Sequence, residues 1–274
     1  MLVVFDVGGT GCRVAGSKDG RSVADVVKIS TPPRYSRGLK ELVRLIKEAA
    51  AGQTLTAVAG GIAGVWDKNR TTLLKSPNLP DWESRTVRKK LEIALGVPVI
   101  LENDAALEAL GEAKMGAGRK AGIMAYVCIG TGIGGARIVD GKIDERLWGF
   151  EPGQQIIFHE GQVGYWERLA SGKAMEKFYK VEPKKLTDPQ AWEKEIQVLA
   201  IGIHNVIVMW SPEVVVLGGS VIESVDLSRL KIILKQQMKI FPEIPKIVKG
   251  ELGDKAGLFG ALELLRNHHH TPEV

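Results

Sequence analysis

Apolar and polar positions along the chain switch between the two-residue period of strands and the 3.6-residue period of helices. Leu2–Val7 is an apolar run interrupted only by Asp6 and stopped by Gly8-Gly9, the pattern of a buried strand. Cys12–Ser17 and Val23–Ile29 read as two further strands on either side of an Asp19-Gly20 turn. Then the period lengthens. Leu39, Leu42, Val43 and Ile46 fall at i, i+3, i+4 and i+7 behind a candidate cap at Ser36, which predicts an amphipathic helix. Leu55–Ile62 reads as a strand, Trp82–Leu95 as a helix, and Val97–Leu101 as a strand that enters a helix over Asn103–Glu112.

Gly116–Gly122, rich in Gly, Lys and Arg, reads as a hinge or linker, and after it the opening pattern returns. Ile123–Ile129 is apolar, Gly130-Thr131-Gly132 follows, and Ala136–Val139 reads as a strand ending in an Asp140-Gly141 turn. Gly9-Thr10-Gly11 thus recurs as Gly130-Thr131-Gly132, each time between two strands, which predicts two related lobes. Further on, helices are expected around Trp166–Tyr179, from Asp188-Pro189, over Leu227–Met238 and over Ala256–Leu265. Val214–Leu217 is a β-branched strand ending in Gly218-Gly219. Strands mixed with helices in both halves give an α/β protein of two lobes.

Composition narrows the class. The 274 residues are 45% hydrophobic and 25% charged, which excludes a mostly disordered chain and a disulfide scaffold. The formal charge is +5, but Arg88-Lys89-Lys90 and Lys184-Lys185 are the tightest basic groups and no aromatics interleave them. A solvated surface is therefore expected, with no nucleic-acid partner. The apolar stretch Val198–Trp210 is broken by Gly202, His204 and Asn205 and is too short to span a bilayer. Without a signal-peptide pattern, and with Cys12 and Cys128 inside apolar runs, a cytoplasmic protein is expected. His268–His270 read as a tag remnant or loose tail.

Chemistry is concentrated at the strand ends. An acid and a glycine pair leave the first strand together as Asp6-Val7-Gly8-Gly9-Thr10. Such a turn lets backbone N–H groups approach an anion while Thr10 adds a hydroxyl and Asp6 can hold hydrated Mg²⁺; it also fits a plain β-hairpin. Gly130-Thr131-Gly132-Ile133-Gly134-Gly135 matches G-x-G-x-x-G, but strand rather than helix follows it, which argues against a dinucleotide site. Two such turns, one per lobe, suit a phosphate chain gripped from both sides. Glu102-Asn103-Asp104-Ala105 lies where a strand becomes a helix, and Asp104 there can accept a proton from an alcohol. Asn103 or Asp104 can equally serve as a helix cap. Ser76-Pro77-Asn78-Leu79-Pro80 is a turn that offers Asn78 to a polar ligand or is merely structural.

Together with Leu217-Gly218-Gly219, these motifs stand in the order of the ROK family, which the chain resembles over nearly its whole length. That family holds sugar kinases and related repressors. The resemblance implies a two-lobed actin-like ATPase (ribonuclease H-like) fold with a cleft between the lobes. Residues 1–115 would form the N-terminal lobe, 116–255 the C-terminal lobe, and helix 256–267 would pack back on the first. It favours the kinase branch, because the first strand opens at Leu2 with no preceding DNA-reading helices. It implies Asp104 as general base, with Asn78, Asn103, Glu151, Gln154 and Glu167 on the sugar. Gly8, Gly9, Thr10, Gly130, Thr131 and Gly132 would face the phosphates, and Gly218 and Gly219 the adenosine.

The resemblance fails at the family's zinc site. Gln154 stands where a zinc-binding histidine is expected, and Phe158, Glu160 and Tyr165 occupy the cysteine positions. That donor set cannot make a tetrahedral zinc site, so no structural zinc is expected. The leading expectation is ATP- and Mg²⁺-dependent phosphorylation of a hexose or N-acetylhexosamine, glucokinase-like at the 6-hydroxyl, by a homodimer. A polyphosphate-dependent hexokinase and a non-catalytic sugar- or nucleotide-binding protein are the alternatives.

Overall fold

The structure, a computed structural model, describes residues 1–269. They divide into two compact units. One comprises Met1–Met115, Glu145–Gly149 and the chain from Asp254 on; the other comprises Gly116–Asp144 and Phe150–Gly253.

The first unit runs β1 (Leu2–Val7), β2 (Gly11–Ser17), β3 (Val27–Ser30), α1 (Tyr35–Ala49), β4 (Ala57–Ile62), β5 (Val65–Trp66), β6 (Leu73–Lys75), α2 (Val87–Leu95), β7 (Val99–Glu102) and α3 (Asp104–Met115). Its main sheet has the order β3-β2-β1-β4-β7. β2 is antiparallel to β1 and β3, while β1, β4 and β7 run parallel. Alternation sorts the side chains of β1 between two cores. Val3, Phe5 and Val7 pack with Leu42 and Ile46 of α1 and with Leu91 of α2. Val4 faces the other way, toward Leu107 of α3 and Leu258 and Leu262 of the C-terminal helix (Ala256–His269). α3 and the C-terminal helix cross at glycine contacts. A Cβ on Gly260 would lie 1.9 Å from the Leu107 carbonyl, and one on Gly111 would lie 2.2 Å from that of Ala256.

The second unit runs β8 (Ile123–Ile129), β9 (Ile133–Val139), β10 (Lys142–Ile143), β11 (Ile156–His159), β12 (Gln162–Tyr165), α4 (Trp166–Ala170), α5 (Gly172–Tyr179), α6 (Pro189–Trp210), β13 (Val214–Gly218), α7 (Leu227–Gln237) and β14 (Lys246–Lys249). Its sheet order, β10-β9-β8-β13-β14, repeats the connectivity of the first. The glycine tripeptides occupy equivalent hairpins, β1–β2 and β8–β9. α6 supplies Leu199, Ile203 and Val206 to the core over β8 and β13. Gly202 lies under the buried Trp166 ring, where a Cβ would come within 2.1 Å.

Several local expectations change. Ser36 does not cap α1; the first N–H of the helix finds a distant acceptor instead, Tyr35 N–H donating to Asp81 Oδ2 at 2.8 Å. The helix expected over Trp82–Leu95 is split into a 3₁₀ turn, Pro80–Trp82, and α2. Between them Ser84 adopts φ +60° and Arg85 forms a bridge with Leu73, which helical geometry would forbid. The Trp166–Tyr179 helix is likewise interrupted at Ser171, whose hydroxyl accepts from Ala174 N–H and starts α5 afresh. The C-terminal helix continues past Leu265 to His269, so His268 and His269 belong to it, and residue 270 lies outside the described residues. Both cysteines are free thiols. No described helix is long and apolar enough to cross a membrane.

Candidate active site

In the first unit the parallel strands β1, β4 and β7 deliver their carboxyl ends to one edge of the sheet, where the candidate residues gather. The hairpin after β1 closes with Gly8 N–H donating to the Gly11 carbonyl at 2.9 Å. Thr31 braces it: its hydroxyl donates to the Gly8 carbonyl at 2.8 Å and its N–H to the Thr10 carbonyl at 3.1 Å. Neither Gly8 nor Gly9 has positive φ, so conformational freedom is not why glycine stands there. Close approach is the reason at Gly9, where a Cβ would lie 2.7 Å from Cβ of Asn78.

Asn78 reaches the glycine hairpin because its turn is tied to the neighbouring strand end. Ser76 Oγ donates to the Ala63 carbonyl at 2.6 Å, and Ala63 N–H donates to the Val7 carbonyl at 2.9 Å. Gly64, at φ +135°, passes close to this turn; a Cβ there would lie 2.3 Å from the Lys75 carbonyl. The carbonyl of Gly64 accepts from Asn103 Nδ2 at 3.1 Å.

Asn103 is also the cap of α3, its Oδ1 accepting from Ala106 N–H at 2.9 Å. The amide therefore does structural duty on both sides. Asp104 opens α3 over Gly61 of β4, where a Cβ would come within 2.9 Å of the Asp104 Cα. Ahead of them, Glu102 folds its carboxylate back over the turn and accepts from Asn103 N–H at 2.7 Å. Arg70 Nε donates to both Glu102 oxygens, at 3.1 and 3.2 Å, and Arg146 Nη2 lies 2.7 Å from Oε2.

Asp6 is 3% exposed. Arg13, directly opposite across the β1–β2 hairpin, donates from Nη1 to Asp6 Oδ2 at 3.2 Å. Its Nη2 donates to Asp254 Oδ1 at 2.6 Å, and Lys28 Nζ donates to Asp254 Oδ2 at 2.7 Å. Burial, and after it the Glu108 charge, push the Asp6 carboxyl up to about 7 against the pull of Arg13. Asp6 Oδ1 is buried and has no hydrogen-bond partner among the described residues. A buried acceptor left open in this way fits a water carried by a divalent cation.

The second unit gathers the other candidates. Gly130 N–H donates to the Gly132 carbonyl at 3.0 Å, and the start of α5 backs the turn, Gly172 N–H donating to the Gly130 carbonyl at 2.8 Å. Gly218 ends β13 and Gly219 follows it. A Cβ on Gly219, at φ +87°, would meet the Ile129 carbonyl at 2.4 Å, and one on Gly218 would meet the Tyr126 hydroxyl at 2.0 Å. Glu167 accepts from Ile133 N–H at 3.0 Å and from Gln154 Nε2 at 3.4 Å, joining Gln154 to the end of the second glycine turn. Glu151 reaches solvent, yet desolvation by surrounding protein and then the Glu167 charge raise its carboxyl to about 7. Phe158 and Tyr165 lie on the β11–β12 hairpin, and Glu160 is in its turn at φ +46°.

Three arginines of the first unit escaped the sequence reading. Arg13 was accessible to it, since the hairpin register that puts Val7 opposite Cys12 puts Asp6 opposite Arg13. Arg70 and Arg146 carry no local signal.

Two sheets of one connectivity, each ending a strand in a glycine hairpin, define an α/β protein of the actin-like ATPase class. Within that class the chain belongs to the ROK family, whose sequence profile matches residues 2–268. It is 26% identical to a glucokinase of Streptomyces coelicolor, over 97% of this chain and 98% of that one. It is 28% identical to an N-acetyl-D-glucosamine kinase of Vibrio cholerae, over 95% of this chain and 98% of that one. Its fold is similar to that of a ROK family glucokinase from Streptomyces griseus solved in complex with glucose and AMPPNP. That likeness has a TM-score of 0.84 and 24% sequence identity, and covers 97% of this chain and 99% of that one.

Proposed function

We propose that this protein is a sugar kinase that transfers the γ-phosphoryl group of ATP to a hydroxyl of a hexose or N-acetylhexosamine, glucokinase-like at position 6. The observation that carries the reading is the gathering of Asp6, the Gly8–Thr10 hairpin, Asn78 and Asp104 at one sheet edge, through the Gly9–Asn78 approach and the Gly61–Asp104 contact. A phosphate-gripping turn and a base are there built on the same strand ends.

In this reading Asp104 accepts the proton of the sugar hydroxyl as it attacks phosphorus, late in a loose transition state. Gly8, Gly9, Thr10, Gly130, Thr131 and Gly132 present backbone and hydroxyl donors to the phosphates, and Gly218 and Gly219 lie near the adenosine. Asn78, Glu151, Gln154 and Glu167 orient ring hydroxyls. Asn103, with its carbonyl committed to capping, has only amide hydrogen left to offer. Asp6 would hold the hydrated Mg²⁺ through water at its open Oδ1, and the ion would neutralise phosphate charge. We assign no zinc, because Gln154, Phe158, Glu160 and Tyr165 offer no thiolate or imidazole. The reading includes a cytoplasmic homodimer. Ile156 pairs with Tyr165 and Phe158 with Val163 across β11–β12, and these exposed apolar side chains offer it a contact face.

A coupled assay over a hexose and N-acetylhexosamine panel, with Mg-ATP or polyphosphate as donor, tests the proposal. ATP-dependent turnover of one or a few sugars is expected, with Asp104→Asn lowering kcat by about 10³-fold and sugar affinity little. Turnover with polyphosphate alone would replace the donor. Sugar binding without product under any donor would replace the function.

A further inference from the structure

We propose that Arg146 is a positioning residue for phosphoryl transfer, acting through Glu102 to fix the Asn103–Asp104 turn. The inference rests on the reading of Asp104 as base, and begins from where Glu102 stands. It is the last residue of β7, and its own carboxylate accepts the N–H of Asn103, the next residue in the chain, at 2.7 Å. The rotamer of Glu102 therefore dictates how the backbone leaves the strand and where α3 begins, one residue further on at Asp104.

A carboxylate at a strand end has several rotamers in solution, so something must select this one. Two guanidinium groups do so. Arg70 spans both oxygens with its Nε, and its own Nη1 donates to the Asp67 carbonyl at 3.0 Å. The Arg70 backbone sits at φ +55°, a left-handed conformation that a non-glycine residue adopts at a cost. Arg146 Nη2 forms an ion pair with the second oxygen at 2.7 Å, without hydrogen-bonding geometry. The side chains of Arg70, Arg146 and Glu102 are 15%, 13% and 9% exposed, so this is not a solvated surface pair of little consequence. Two cations on one carboxylate exceed what neutralisation requires. They leave Glu102 a single orientation, in which Oε1 accepts from Asn103 N–H as well as from Arg70 Nε.

The path of the chain supports the same reading. Arg146 belongs to Glu145–Gly149, five residues that group with the first unit although the chain on both sides groups with the second. Within that stretch Leu147 and Trp148 are exposed, and Arg146 carries the buried ion pair. The detour places a guanidinium on the residue that shapes the Asp104 turn.

The test uses Arg146→Gln, Arg146→Lys, Glu102→Gln and the Glu102→Gln/Arg146→Gln double variant beside Asp104→Asn, in the full chain with the sugar and donor the wild type uses. Arg146→Gln is expected to lower kcat about tenfold while sugar KM stays within about twofold, because a displaced base impairs transfer more than binding. Arg146→Lys, which keeps a cation beside Oε2, should recover most of that kcat. The double variant should lose no more than the worse single one, since both act through one turn. Should Arg146→Gln not fold, Glu102→Gln carries the same kcat-against-KM expectation. Wild-type kcat in Arg146→Gln, a loss confined to KM, a fall in Tm with kcat unrescued by lysine, or additive losses in the double variant would each overturn the proposal. An active Asp104→Asn would instead remove the reading of Asp104 as base. An inactive Asp104→Asn beside a normal Arg146→Gln would sink only the role of Arg146.

Discussion

Asp6 and Arg13 face each other across the first hairpin, Nη1 to Oδ2 at 3.2 Å, and the arginine opposes the burial and the neighbouring carboxylates that protonate the acid. Burial and Glu108 hold the Asp6 carboxyl near 7, so its ionised fraction grows as pH rises through neutrality. Deleting the cation moves that titration upward. Arg13→Gln should therefore raise the Mg²⁺ concentration giving half-maximal activity by about tenfold at pH 6.5, and by much less at pH 8.5. Mg²⁺ titrations of initial rate at the two pH values check this. An equal shift at both would mean that Arg13 acts on the phosphates and not on Asp6.

Gly8 and Gly9 are adjacent glycines with different tolerances. A Cβ on Gly8 meets its nearest neighbour, the Gly11 carbonyl, at 3.6 Å, an ordinary contact. On Gly9 it would collide with the Asn78 Cβ at 2.7 Å and push the Ser76–Leu79 turn away from the hairpin. Gly9→Ala should cost about 1–3 kcal/mol of stability by overpacking, and Gly8→Ala much less. Thermal melts of both variants and of Gly9→Ala/Asn78→Gly, which removes the opposing Cβ and should recover the loss, decide the point.

Asn103 and Asp104 are neighbours whose substitution should look different in a melt. Asn103→Ala removes the α3 cap, worth about 1 kcal/mol, and also the donor to the Gly64 carbonyl. It should lower Tm by several degrees. Asn103→Ser keeps a cap acceptor but cannot span to Gly64, and should fall between Asn103→Ala and wild type. Asp104→Asn should melt close to wild type while losing turnover. A stable Asn103→Ala with impaired sugar KM would instead give its amide to the substrate.

The same contrast shows what could be read from sequence. The bounds of β1 and β8 were legible, because a continuous apolar run stopped by glycine is local information. So was the start of α6, where Asp188 caps Gln190 N–H ahead of Pro189. Partnerships across the fold were not. The N-terminus of α1 looks to Asp81, and the Trp82–Leu95 helix breaks because Arg85 is drawn into a bridge with Leu73. The β11–β12 hairpin carries its own signal, alternating Ile156, Phe158 and Val163, Tyr165 about Glu160-Gly161. It was obscured by reading that segment as a remnant of a zinc motif. At the site, motifs pointed to Asp6 and Asp104 and the hairpin register implies Arg13, but Arg70 and Arg146, which hold Glu102, come from distant segments of the chain.

Glu195 lies on α6. Its side chain is buried, with Oε2 lacking a hydrogen-bond partner among the described residues. Burial raises the carboxyl to about 7, against a smaller opposing effect from the Tyr179 hydroxyl. An acid raised on folding binds more protons folded than unfolded, so its contribution is full below about 4.5 and is lost as pH rises through about 7. At pH 8 the wild type therefore keeps an ionised carboxylate where water cannot solvate it. Glu195→Gln, neutral at every pH and nearly isosteric, should have a Tm several degrees above wild type at pH 8 and close to it at pH 5. Melting both proteins across this range checks the sign. A Tm difference that does not change with pH would show that Glu195 is solvated or paired in the folded protein.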